Sequence, residues 1–239
     1  MATFKRWRIT FLTAVATAAV LVGAGALIAG GGGDDGPSAT PGTDTTPSGA
    51  PPARDPRSAQ DGSADLGPEG VPLLRGAPLG PARAPASGQS HGGIPCGSRE
   101  QLHYHVHARL SIFVAGRSRS VPLGVGVGPP HRITKTPRGR FVSGGSCFSL
   151  LHTHAGDGII HIEAPRRIAF TLGQFFDLWE QRLDSRHLGS HRGFVVAYVN
   201  GQRYRGNPRA IPLKRHAQIQ LEVGQPIVAP TRITFPPGL

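Results

Sequence analysis

Six of the eleven histidines in this 239-residue chain fall in two short, largely apolar stretches. In Ser149 to Pro165, SLLHTHAGDGIIHIEAP, His152 and His154 stand two apart, and His161 follows a break of Ala155-Gly156-Asp157-Gly158. In Leu102 to Leu110, LHYHVHARL, the residues His103, His105 and His107 keep strict period two. Neutral imidazole is the commonest protein ligand for metals, and several converging nitrogens suit copper, zinc or nickel. The chemistry expected of these six residues is coordination of a divalent or copper ion. A layer of hydrogen-bonded imidazoles inside a sheet is the alternative.

Two carboxylates accompany them. Glu163 follows His161 by two, so on a strand it shares that face and either orients an imidazole or joins the ligands. Asp157 sits in the break, where turn propensity accounts for it and a place beside the ligands is the rival reading. Cys96 and Cys147 are the only cysteines. They are expected to form a disulfide in an oxidising compartment, against the alternative of Cys147 as a thiolate ligand. The only methionine is Met1, which argues against a blue-copper site with axial Met. His131, His187, His191 and His216 read as surface residues.

Positioning these groups takes strands. Period two over LHYHVHARL predicts a strand from Leu102 to Val114, with a partner over Arg117 to Leu123. The Gly and Asp-Gly break predicts a β-hairpin that returns His161 beside His152 and His154. Short extended pieces are expected at His131 to Thr134 and Arg140 to Val142, and further strands at Arg167 to Thr171, Phe194 to Val199, Gln202 to Arg205 and Ala217 to Val223. One helix is expected, Leu172 to Leu183, because Leu172, Phe175, Phe176, Trp179 and Leu183 recur at spacings of three and four. The predicted class is α+β, mostly antiparallel, with this single amphipathic helix packed on the sheet.

The rest of the chain suggests where this domain works. Lys5, Arg6 and Arg8 precede Ile9 to Ala29, an uncharged apolar run long enough to span a bilayer. It reads as a single-pass anchor with the remainder outside the cytoplasm; a cleaved signal peptide, leaving a secreted domain, is the alternative. Residues 30–90 are rich in Gly, Pro, Ala and Ser and contain no aromatic residue, the composition of a disordered linker. The folded domain is then residues 91–239, which carry 19 basic against seven acidic residues. Those arginines are scattered through loops without a basic helix or stacking aromatics, so specific nucleic-acid binding is not expected. Neither GGGG at 30–33 nor GVGVG at 124–128 lies between a strand and a helix, and no Gly-x-Ser-x-Gly elbow occurs, so no organic cofactor or serine hydrolase is expected.

Several resemblances bear on function. HYHVH resembles the copper-ligand strand of copper/zinc superoxide dismutases, but the Gly-Asp turn and early bridging histidine of those enzymes do not follow. His152-Thr153-His154 resembles the opening of a cupin motif, without its glutamate at the required spacing. Taken together, LHYHVHARLSIFV, CFSLLHTHAGDGIIHIEAP, FTLGQFFDLWEQRL, VNG and NPRAIPL resemble a group of exported, membrane-anchored bacterial proteins with no established activity, over roughly Gly93 to Leu239. Leu150 stands where that group has an aromatic, and Glu180 where it has glycine. The resemblance implies export and anchoring rather than a reaction. The expected function is a membrane-tethered, extracytoplasmic copper- or zinc-binding module; a metalloenzyme with an open His-ligated position and a structural surface domain are the alternatives.

Overall fold

The computed structural model of the protein describes residues 65–239. The expected anchor over Ile9–Ala29 and the first part of the expected linker lie outside the described residues. Among the described residues no helix is long and apolar enough to cross a membrane.

In chain order, β1 (Ser90–His91) and β2 (Ile94–Gly97) make a small hairpin, followed by the long β3 (Tyr104–Val114) and its short partner β4 (Arg117–Arg119). A second hairpin comprises β5 (Arg132–Thr136) and β6 (Gly139–Gly144). Then come β7 (Phe148–Ser149), β8 (Leu151–His152) and β9 (Ile159–Ala164), the helix α1 (Leu172–Leu178), and the short pair β10 (His187–Leu188) and β11 (His191–Arg192). The chain ends its regular structure with β12 (Val195–Val199), β13 (Gln202–Tyr204) and β14 (Gln218–Val223). The main sheet has the order β13-β12-β14-β3-β9-β8, with β4 also on β3. All its pairings are antiparallel except the central β14–β3 pair, which is parallel. This is the α+β class expected from the pattern.

Strand pleating sorts the side chains of β3 and β9 between two faces. Val106, Ala108, Leu110 and Ile112 of β3 join Ile160, Ile162 and Ala164 of β9 in the apolar core, with Leu172, Phe175, Phe176, Leu178 and Trp179 of the helical region packed on them. Each fully buried Leu or Phe contributes about 1.5–3 kcal/mol, so this face supplies most of the stability. The alternate residues, His105, His107, His161 and Glu163, go to the opposite face. Register places them together, because His105 is opposite Glu163 and His107 is opposite His161 across β3–β9. On the other side of β9, His152 is opposite His161.

Gly158 makes this hairpin possible. Its φ is +84°, and a Cβ there would stand 2.3 Å from the Leu110 carbonyl oxygen. Any other residue would push β9 off β3 at the start of the strand that carries His161.

The helix is shorter than its apolar stripe predicts. Thr171 and Gln174 form a capping box at its start, and it stops at Leu178 rather than Leu183. Glu180 takes φ 57°, and the Gln181 amide donates to the Phe176 carbonyl at 2.9 Å, a left-handed closure that ends the helix. Leu183 is buried all the same, beyond the turn. The expected strand at Arg167 to Thr171 is absent; Thr171 is taken up as the cap and bridges to Pro212.

The expected linker also ends earlier than residue 90. From residue 65 the chain is folded onto the domain: Val71 and Leu79 are buried, Pro78 bridges to Ser120, and the Pro81 carbonyl accepts the Trp179 indole N–H at 2.9 Å. Its composition hides this, because the segment is held by isolated anchors and by backbone bonds to other segments rather than by periodic apolar faces. Proline also lowers the entropy lost on ordering it.

Candidate metal centre

Five of the six expected histidines meet on the polar face of the sheet; His103 does not. His103 lies in the turn before β3, exposed, because the strand begins at Tyr104, two residues later than the sequence suggests. The other five fall into two groups that share His161: His152, His154, His161 and Glu163, and His105, His107 and His161. Within each group the ligand atoms lie within 4.8 Å of one another.

The separations are those of a coordination shell. His105 Nε2 and His107 Nε2 each lie 3.2 Å from His161 Nδ1. Glu163 Oε1 lies 3.3 Å from His161 Nδ1, 3.0 Å from His105 Nε2 and 3.6 Å from His152 Nε2. His152 Nε2 and His154 Nε2 are 3.0 Å apart. Donors about 2.0–2.1 Å from a tetrahedral ion sit about 3.3 Å from each other, so these edges match bond lengths for zinc to imidazole and carboxylate.

Tautomers are fixed by the surrounding backbone. His152 Nδ1 lies 2.9 Å from the Ser149 carbonyl oxygen, and His154 Nδ1 lies 2.6 Å from that of Val142. A carbonyl can only accept, so both rings donate from Nδ1, and each neutral ring turns a bare Nε2 lone pair towards the other. His154 is held further by Phe141, stacked on it with ring centroids 4.7 Å apart. His161 is oriented differently: its Nε2 donates to Glu69 Oε1 at 2.6 Å, which leaves Nδ1 to face the other ligands. This is the carboxylate–histidine arrangement that raises ligand basicity in metal sites.

Electrostatics agree with the geometry. Burial drives the pKa of His107 down to about 3, helped by the charge on His161. Burial likewise lowers His152, His154 and His105, so these four imidazoles are neutral at physiological pH. Burial also disfavours charge on His161, but hydrogen bonds and charge from Glu163 and Glu69 outweigh it and raise that pKa to about 9. In the metal-free protein the centre therefore keeps one positive charge where a cation would go.

Asp157 serves the site at one remove. Burial, then the neighbouring Glu69, raise its pKa to about 8. Its carboxyl accepts the Glu69 amide at 3.2 Å and the Ile159 amide at 3.4 Å, tying the incoming segment to the start of β9. Gly67 allows this approach, since a Cβ there would lie 2.6 Å from Asp157 Oδ2. Cys96 and Cys147 form the expected disulfide, so neither is a ligand.

Two acidic residues of the centre were not singled out from sequence. Glu100 approaches His154 Nε2 at 3.4 Å, and its pKa is raised by burial and then by Glu163. Glu69 is the only glutamate among residues 30–90, and the neighbouring Val71-Pro72-Leu73-Leu74 is an apolar patch in an otherwise polar stretch. That pair of features was the available signal. The side-chain atoms Glu69 Oε2 and Glu163 Oε2 are both buried without a hydrogen-bond partner.

The fold and site together define a sheet-rich α+β domain with a buried histidine–glutamate centre that could hold a metal ion. Comparison of the chain with family models, curated proteins and solved structures finds no match.

Proposed function

We propose that this protein is a membrane-tethered, extracytoplasmic metal-binding protein whose cargo is copper or zinc. One observation carries the metal reading: two neutral imidazoles, locked by backbone carbonyls, aim bare Nε2 lone pairs at each other across 3.0 Å. Two acceptors at that distance repel unless a cation lies between them. The unpartnered Oε2 of Glu163, whose Oε1 lies 3.6 Å from His152 Nε2, adds an uncompensated acceptor beside them, costing about 1–3 kcal/mol when left dry.

The ligand set favours borderline cations. With both cysteines in a disulfide and Met1 the only methionine, no thiolate or thioether is available to select Cu(I). Imidazole and carboxylate suit Zn(II) and Cu(II). The His105 side chain is 33 % exposed, giving the buried centre one side through which an ion can enter and leave, as sequestration or delivery requires. The Cys96–Cys147 disulfide fits an oxidising compartment, and the apolar run Ile9–Ala29 behind three cations supports the tether.

The test is titration of metal-free protein with Zn(II) and Cu(II), read by stoichiometry and by melting temperature. Tight uptake and a rise in melting temperature are expected. The double change His152→Ala with His154→Ala should lower that uptake while far-ultraviolet circular dichroism stays native. Wild-type protein that takes up neither ion overturns the metal reading. Location is tested separately, by protease accessibility of the domain in intact cells.

A further inference from the structure

We infer that the centre holds two metal ions rather than one, with Glu163 placed to bridge them; this rests on the metal reading above. One ion is assigned to His105, His107 and His161, and the second to His152, His154 and Glu163. The division follows from which strands supply the ligands. His105 and His107 reach the centre from β3, whereas His152 comes from β8 and His154 from the loop after it, with β9 running between β3 and β8. The central strand contributes the two residues that face both sides, His161 and Glu163.

Each assignment has its own geometry. His161 Nδ1 lies 3.2 Å from both His105 Nε2 and His107 Nε2, an apex common to the two rings of β3. On the other side, His152 Nε2 lies 3.0 Å from His154 Nε2 and 3.6 Å from Glu163 Oε1. Three imidazoles leave the first ion short of four, and Glu163, already a ligand of the second, can supply that deficit as well. Its Oε1 stands 3.0 Å from His105 Nε2 as well as near His152, while its Oε2 is buried with no hydrogen-bond partner. A carboxylate with one oxygen shared and the other unused, set between two histidine groups, has the disposition of a bridging ligand.

Charge is compatible with two ions. Glu163, Glu69 and Glu100 border the centre, and the five imidazoles that reach it are neutral as ligands, so up to three negative charges offset the four positive ones to within one. Carboxylate-bridged ions in such sites stand about 3.5–4 Å apart.

The full-length chain, purified metal-free, is dialysed against Cu(II) and, separately, Zn(II), and the ions retained per chain are counted. Two per chain are expected, falling to one in the variant His105→Ala with His107→Ala and to one in the variant His152→Ala with His154→Ala. The wild-type Cu(II) form should also show the broadened or lost paramagnetic resonance of two coupled ions. One ion per wild-type chain, or two ions with fully resolved uncoupled signals, overturns the two-ion centre while the metal reading stands. No retained ion overturns both. If a double variant fails to fold, the wild-type count and resonance signal decide.

Discussion

Glu69 closes the centre from 92 residues away: its Oε1 stands 2.6 Å from Nε2 of His161 and fixes which nitrogen of that ring faces the other ligands. Glu69→Gln keeps the shape but weakens the charge that holds the ring. Metal affinity should fall about 10- to 100-fold, the usual effect of losing such a partner, with little change in far-ultraviolet circular dichroism. An unchanged affinity in a chelator competition would remove Glu69 from the centre.

The segment that carries Glu69 also belongs to the core. A chain begun at residue 91 loses the buried side chains of Val71 and Leu79 and the acceptor of the Trp179 indole. Against a chain begun at residue 60, its unfolding free energy should drop by about 3–6 kcal/mol, from the two apolar side chains alone. Equal denaturant midpoints would show that the segment is not part of the cooperative unit.

Acid should unfold the metal-free protein early. His107 accepts a proton at about pH 3 when folded but near 6.5 when unfolded, so stability is full above about pH 6.5 and declines as pH falls towards 3. His161 and Asp157 act in the opposite sense. Their folded pKa values, about 9 and about 8, exceed the unfolded ones, so their contribution is present at low pH and lost as pH rises through those values. Urea midpoints from pH 4 to 9 should peak near neutrality, and a profile flat across that range would contradict the assignment.

Reduction of the Cys96–Cys147 bond should cost about 4 kcal/mol on the loop-entropy argument, given a sequence separation of 51 residues. The bond ties β2 to the segment just before β8, which carries His152. Double replacement by alanine should therefore lower both the melting temperature and the metal affinity of the protein. A loss of stability with affinity fully kept would show that β8 holds its place without the bridge.

Glu180→Gly should stabilise. Residue 180 sits at φ 57° just past the helix end, where glycine avoids the clash a Cβ makes. Its exposed contacts, to Arg83 at 3.5 Å and His91 at 3.6 Å, contribute little. A gain of about 0.5–1 kcal/mol in unfolding free energy is expected.

Much of the centre was legible because strand phase is a local property. Period two in HVH and the Gly-rich break before GIIHIEAP were enough to put His105, His107, His152 and His161 on one face, and the β3–β9 and β8–β9 registers place them there. His103 failed the same rule because a strand start is set by where pairing stops, and Tyr104 opposite Ala164 is the last pair. Glu69 and Glu100 lie outside any periodic run, and their place depends on tertiary contacts that leave no spacing to read. The helix end was misplaced for a related reason: the apolar stripe continues to Leu183, but the backbone turns at Glu180 and buries Leu183 from beyond the helix.

The parallel pairing of β3 with β14 sets an order of events. Arg109 and its partner Gln218 are 109 residues apart along the chain, so β3, already paired with β4 and β9, gains a neighbour on its other edge only when the distant β14 arrives. Contacts that distant form slowly, because loop closure is costly before it is rewarded. Until then β3 presents an unpaired edge over residues 109–114, while the register of His105 and His107 is held by β9, whose His161 lies 54 residues beyond His107. The histidine face is thus set by a shorter loop closure than the one that completes the sheet, and the imidazoles can stand together before the last strand docks.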